Sequence, residues 1–260
     1  MNKDFPVIRI SKMKVDLLQI PDVIEKMKDW IKTKQSGRYI VISNANDVVM
    51  SRKDESIARA VNDSDLSVPD GISLVLSARL FGYKLKKRVY GPDLMFEFIQ
   101  KTVDDNYAHF LYGSTTQTLD ALSCKLKQQF PGIKITGMYS PPFRELTENE
   151  DKDIVDIINN SGADILWVGL GCPKQQIWMY EHKDKINVPV MVGVGAAFDF
   201  LSGVKIQAPR WIRDNGFEWL FCLVTEPKRL WKRYIVGNTI FLSILLGEFF
   251  NSSRKNKFNT

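Results

Sequence analysis

Five short stretches rich in β-branched and aromatic residues punctuate the chain: RYIVIS (38–43), AHFLYG (108–113), IKITGMYS (133–140), ADILWVGLG (163–171) and VPVMVGVG (188–195). Each has the length of a strand. The runs 164–169 and 189–194 are almost continuously apolar, as strands buried on both faces of a parallel sheet are. Between them lie segments of helical period. In TTQTLDALSCKLKQQF, Leu119, Leu122, Leu126 and Phe130 recur at intervals of three and four, one stripe of a helix that Ser114 or Thr115 would cap. LTENEDKDIVDIINN opens on a Thr147–Glu150 capping box, with acids crowding the first turn where the helix dipole favours them. Strand and helix alternating at this interval predict an α/β fold, a Rossmann-like and mostly parallel sheet flanked by helices.

The texture changes near residue 205. From there APRWIRDNGFEWLFCLVTEPKRLWKRYIVGNTIFLSILLGEFF reads as helix, with Pro227 suited to a first helical turn. The pattern divides the chain into an α/β core, 1–204, and a helical C-terminal appendage, 205–260. Charge follows the same division. The 260 residues carry a formal net charge of +6, and residues 205–260 hold ten Lys/Arg against four acids, so the whole excess lies in the appendage. A basic segment beside an apolar helix predicts an anionic partner. A membrane surface suits it better than nucleic acid, which would need aromatics interleaved across a stacking platform. The longest apolar segment, 234–250, is short for a membrane span and interrupted by Asn238 and Glu248. MNKDFPVIRI lacks the charged-then-apolar order of a signal peptide. Oligomers that bury the apolar helix fit the same pattern.

Composition narrows the chemistry. The three cysteines (Cys124, Cys172, Cys222) are widely spaced and lack CxxC spacing, which argues against a disulfide framework or a zinc site and fits a reducing cytoplasm. His109, inside an apolar run, is expected to be a packed core residue, and it assembles no zinc motif with His182. The DSD at 63–65 reads as a helix end entering a short strand rather than a metal-binding DxD, so no metal site is predicted.

In open parallel sheets ligands bind beyond the carboxyl ends of the strands. Here those ends are glycine-rich: YGST (112–115), GLGCPKQQ (169–176) and GVGAAFDFLSG (193–203). One such loop is an ordinary tight turn. Three together predict a nucleotide or phosphate ligand held near Gly113, Ser114, Gly169, Pro173, Lys174, Gly193 and Gly195. Neither GxGxxG nor GxxxxGK[ST] occurs, which disfavours a dinucleotide oxidoreductase and a P-loop NTPase. In EPKRLWKRY, helical spacing puts Arg229, Lys232 and Arg233 on one face, suited to gripping a diphosphate or simply to facing solvent. SVPDGISL places Asp70 between a proline and a glycine at an expected strand end. Locally this is turn chemistry, or a carboxylate held for catalysis at the mouth of the sheet.

Taken in order, NANDVVM, VPDGISLV, RVYGPDLM, WVGLGCPKQQIWM, VGVGAAFDFLSG and APRWIRDNGFEWLFCLVTEPKRLWKRY resemble the pattern of the WecG/TagA/CpsF glycosyltransferases over about residues 38–235. The resemblance implies inverting, metal-independent transfer of a sugar of the N-acetylmannosamine type from a UDP-sugar to a polyprenyl-diphosphate-linked sugar. It implies no cofactor beyond that donor, and peripheral attachment to the inner face of the cytoplasmic membrane. It puts the catalytic base on Asp70, a pocket residue on Asn44 or Asn46, a pocket arginine on Arg88 with Gly91 and Asp93 following, Gln175 near the donor, and Asp199 in the nucleoside region. Basic residues of the appendage would close over the diphosphate. Two positions depart from the family pattern: Gln176 stands where Glu is usual, and Cys222 where relatives carry Arg. Rival readings are a UDP-sugar epimerase or hydrolase, and a non-catalytic module that binds phosphate-bearing ligands at membranes.

Overall fold

The structure, a computed structural model, describes residues 5–257, the side chains of Arg229 and of 251–257 excepted. An antiparallel hairpin, β1 (Val7–Ile10) and β2 (Met13–Asp16), leads into α1 (Ile20–Lys32). There follow β3 (Arg38–Ser43), α2 (Ala45–Ser51), α3 (Glu55–Asn62), β4 (Leu66–Pro69), α4 (Ile72–Leu80) and α5 (Gly91–Thr102). Then come β5 (Ala108–Gly113), α6 (Thr116–Gln129), β6 (Lys134–Tyr139), α7 (Glu148–Asn160), β7 (Ile165–Gly169), α8 (Lys174–His182), β8 (Val190–Gly193) and α9 (Ala197–Ser202). Among the described residues β3 to β8 form one parallel sheet in the order β4-β3-β8-β7-β5-β6. This is the α/β, Rossmann-like architecture the sequence pattern predicts.

The apolar runs are continuous because both faces of the sheet are covered. Tyr39, Val41, Leu166, Val168 and Met191 face α2, α4, α7 and α8. Their neighbours Ile40, Ile42, Ile165, Trp167, Val190 and Val192 face α1, α5, α6 and α9. Alternate residues of one strand thus enter different cores, as the two-residue period of a strand requires. The Leu119, Leu122 and Leu126 stripe of α6 is buried in the second core, and Thr115 caps the helix through its hydroxyl. His109 is a core residue whose Nδ1 accepts from Trp167 Nε1 at 3.0 Å. Asp65 accepts from Arg38 and from the Tyr39 amide at the amino end of the sheet, away from the carboxyl ends of its strands.

The segment beyond residue 205 continues as α10 (Arg210–Asp214), α11 (Glu218–Thr225), α12 (Pro227–Trp231), a π-helical turn (Lys232–Val236) and α13 (Gly237–Lys257). Phe241, Ile244 and Leu245 of α13 are buried in the first core, where α13 packs on α2. Leu242, Leu246 and Phe250 stay exposed. By length and composition the 19 residues Lys232–Phe250 suffice to cross a membrane, which the count of uninterrupted apolar residues in the sequence understated.

Candidate active site at the carboxyl edge of the sheet

The carboxyl ends of β3, β4, β5, β7 and β8 open into one cleft of about 1080 Å³ that the appendage roofs with Glu218, Trp219, Cys222 and Arg233. Asp70 lies on its floor. Its amide donates to Ser43 O at 2.7 Å, extending the β3–β4 ladder by one rung, and Gly71, at φ 83°, turns the chain sharply into α4. Pro69 O accepts from the Val89 amide at 2.7 Å, which ties the preceding loop to the same strand end and brings Arg88 alongside. Arg88 Nη1 stands 3.3 Å from Asp70 Oδ1, while its Nη2 bonds Glu218 Oε2 from the appendage. Tyr90 lies under the guanidinium, 4.3 Å from ring centre to Cζ. The Pro-Asp-Gly turn and the pocket carboxylate are therefore one feature, the turn holding the side chain in place.

Asn44 and Asn46 both line the cleft. Asn44 caps α2: its Oδ1 accepts from the Asn46 amide at 2.9 Å, and the Asp47 carboxylate accepts from the Asn44 amide at 2.9 Å. Gln175 is buried and its Oε1 accepts from the Gly195 amide at 3.1 Å, binding the first turn of α8 to the loop after β8. A methyl group on Gly193 would meet Met179 at 2.8 Å and Gln175 at 3.0 Å, so glycine is what lets the end of β8 approach α8. Ser114 donates to Asp199 at 3.4 Å, and Asp199 pairs with Lys205 at 2.8 Å. Gly91 and Gly169 also line the wall.

Other expected residues stand elsewhere. Gly113 packs its backbone on that of Gly169 behind the cleft wall. Asp93 is bound to Arg213 at 2.9 Å. Pro173 precedes α8 outside the lining, and Lys174 faces an adjoining apolar cavity of about 820 Å³ with Phe143 and Trp178. The shared basic face of Arg229, Lys232 and Arg233 is corrected: Arg233 lines the cleft, but Lys232 is exposed outside it over Trp231. Consecutive residues of a helical turn project about 80–100° apart, so one can enter the cleft while the next faces solvent. The Arg229 side chain lies outside the described residues. Gln176, at the family's glutamate position, is wholly buried beneath the cleft and donates to Asp47 at 3.3 Å.

Burial dominates the electrostatics. It pushes Asp70 up to about 6, against the pull of Arg88 and Arg233, with Glu218 adding to the rise. Asp47 is likewise pushed up to about 6 by burial, opposed by the Asn44 amide and Arg233. Burial raises the Cys172 thiol too, which leaves it a poor nucleophile. Arg233 therefore supplies positive charge to the floor from the appendage, while burial raises the Cys222 thiol. Among the described residues no three His, Cys, Asp or Glu cluster as a metal site. Sequence reasoning missed Tyr90, Gln207, Arg213 and Glu218; the one signal was that Tyr90 sits inside RVYGPD and Glu218 opens EWLFCL.

A profile of the Glycosyl transferase WecG/TagA/CpsF family matches residues 8–255. The N-acetylglucosaminyldiphosphoundecaprenol N-acetyl-beta-D-mannosaminyltransferase of Bacillus spizizenii is 28% identical over 217 residues, 84% of this chain and 82% of that protein. A protein of the same name from Staphylococcus aureus is 25% identical over 257 residues, 96% of this chain and 97% of its own.

Proposed function

We propose a specific reaction for this chain, which belongs to the WecG/TagA/CpsF family of glycosyltransferases: inverting transfer of an N-acetylmannosamine-type sugar from a UDP-sugar to a polyprenyl-diphosphate-linked sugar. The observation that carries the proposal is the placement of Asp70 beside Arg88 on the floor of a cleft walled by glycine loops. The names of the relatives, which specify a diphosphoundecaprenol-linked N-acetylglucosamine acceptor and a mannosamine donor group, support the choice of substrates.

Asp70 accepts the proton of the acceptor hydroxyl as that oxygen attacks the anomeric carbon from the face opposite UDP. The carbon–oxygen bond to the diphosphate breaks and its electron pair leaves with UDP. A carboxyl near 6 is mostly ionised at pH 7.5 and still basic enough to take part in the transfer. Arg88, Arg233 and the loop amides after β7 and β8 offset the charge on the departing diphosphate, so the reaction needs no metal ion. Ser114 and Asp199 face the nucleoside. The acceptor lies in a bilayer, and the exposed apolar residues of α11 and α13 beside basic ones suit attachment to the inner face of the cytoplasmic membrane.

The test is transfer of labelled sugar from a panel of UDP-sugars to GlcNAc-diphosphate-lipid in micelles, with and without a chelator, for wild type and Asp70→Asn. Chelator-resistant transfer from one donor, lost in the variant, is expected. Transfer that survives Asp70→Asn removes the base assignment, and free sugar released without acceptor identifies a hydrolase instead.

A further inference from the structure

Glu218 is a carboxylate in the cleft that the reaction above gives no task. It opens α11, is 13% exposed at the side chain, and bonds Arg88 Nη2. Arg88 thus bridges two carboxylates, and the 3.3 Å contact to Asp70 is long for a charge-assisted hydrogen bond. Around this bridge, the Tyr90 hydroxyl accepts from Gln207 Nε2 at 3.3 Å and lies close enough to Glu218 to feel its charge. Arg213 stands over the Tyr90 ring at 5.3 Å while bound to Asp93. Apart from Asp70, these partners of the 88–93 segment come from residues 207–218 of the appendage.

We infer that Glu218 is a positioning residue. It holds Arg88 by the Nη2 edge, so that the guanidinium stands beside Asp70 without closing on it, and it does so because the appendage is seated. A guanidinium freed of Glu218 can turn its fork onto Asp70 and form the bidentate pair that Arg and carboxylate favour. That pair would bind the proton-free form of Asp70 more tightly and make it a weaker base. This rests on the reading of Asp70 as the base of the reaction.

The charges facing Asp70 fix the sign. Arg88 from the loop before α5 and Arg233 from the π-helical turn favour its ionised form; Glu218 from α11 opposes it, and Asp47 of α2 lies within range of its charge. The Cys172 thiol and Tyr90 hydroxyl on the remaining walls are neutral. Replacing Glu218 by Gln removes the opposing charge and releases Arg88. Both changes lower the titration midpoint of Asp70.

The experiment is a ¹³C-carboxyl NMR titration of the full chain, with the Asp70 signal assigned from Asp70→Asn. Glu218→Gln is expected to lower the Asp70 midpoint by about one pH unit or more. The acid limb of the kcat/KM profile should move with it. Glu218→Asp, which keeps the charge on a shorter arm, should fall between, and serves alone if Glu218→Gln does not fold. A midpoint that stays at the wild-type value, or rises, in the variant that folds overturns the role even if transfer is slowed. A wild type without transfer whose Asp70 midpoint nonetheless drops in Glu218→Gln supports the positioning role and counts against the proposed reaction alone.

Discussion

At the scale of single residues, Asp70 shows how a carboxylate buried in the cleft weakens the fold that holds it. Burial is the largest influence on its carboxyl and outweighs the attraction of Arg88 and Arg233. The folded protein therefore holds the Asp70 proton more tightly than the unfolded chain, whose aspartates titrate near 3.9. Between about pH 4 and pH 6 the folded state binds more protons, so stability falls as pH rises through that window and stays at the lower level above it. Asp70→Asn removes this penalty. Its melting temperature at pH 7.5 should exceed wild type by roughly 2–4 °C, the advantage should vanish near pH 4, and transfer should fall by a factor on the order of 10²–10⁴. Asp47 titrates in the same window and feels the Asp70 charge, so the difference between the proteins reports Asp70 together with its effect on Asp47. A variant that melts below wild type at pH 7.5 would show that the Arg88 bridge outweighs burial. The place of Asp70 in the cleft was legible from Pro-Asp-Gly at a strand end, though locally that motif reads equally as a turn and the choice of this carboxylate came from the family resemblance. Glu218 was not, since a lone acid at the start of an apolar helix looks like ordinary dipole chemistry.

At the scale of elements, the cleft exists because strand ends approach one another more closely than side chains allow. Gly113 has φ 121°, and a methyl group there would lie 2.5 Å from the backbone of Gly169 on the neighbouring β7. Gly113→Ala must part the ends of β5 and β7, and should cost about 2–4 kcal/mol in urea unfolding. Gly171 supplies the contrast: φ is 78° but nothing lies within 4 Å, so Gly171→Ala should cost only about 1–2 kcal/mol, the strain of the left-handed backbone. Equal losses at the two sites would mean that conformation, not crowding, sets the glycine requirement. Three glycine-rich loops after apolar runs made this edge of the sheet legible from the sequence. The β1–β2 hairpin was not, because VIRI and MKVD are four residues each and too short to establish a period. The π-helical turn was illegible for a different reason. Its backbone widening has no residue signature, and which of the neighbouring Lys232 and Arg233 meets the cleft depends on how the appendage is seated.

At the scale of the whole molecule, α13 serves two surfaces at once. Phe241, Ile244 and Leu245 complete the core over α2, while Leu242, Leu246 and Phe250 on its other edge are exposed. Trp211, Leu220 and Val224 of α10 and α11 are exposed as well. Although the helix is long enough to cross a bilayer, crossing would strip its buried edge from the core, so attachment flat in the interface costs less. The chain should accordingly partition onto vesicles containing anionic lipid, and high salt should reduce that partition without abolishing it, since the apolar contribution is insensitive to screening. Replacing Leu242 and Leu246 together by Glu removes two apolar anchors of about 1.5–3 kcal/mol each when fully inserted. Vesicle partition should then drop by at least about tenfold, with the melting temperature held, because neither side chain packs in the core. Partition unchanged by the double substitution would exclude α13 as the anchor. If wild type instead sediments as an oligomer in the absence of lipid and the variant does not, the exposed edge is covered by a second copy. The membrane would then compete with self-association for the same surface.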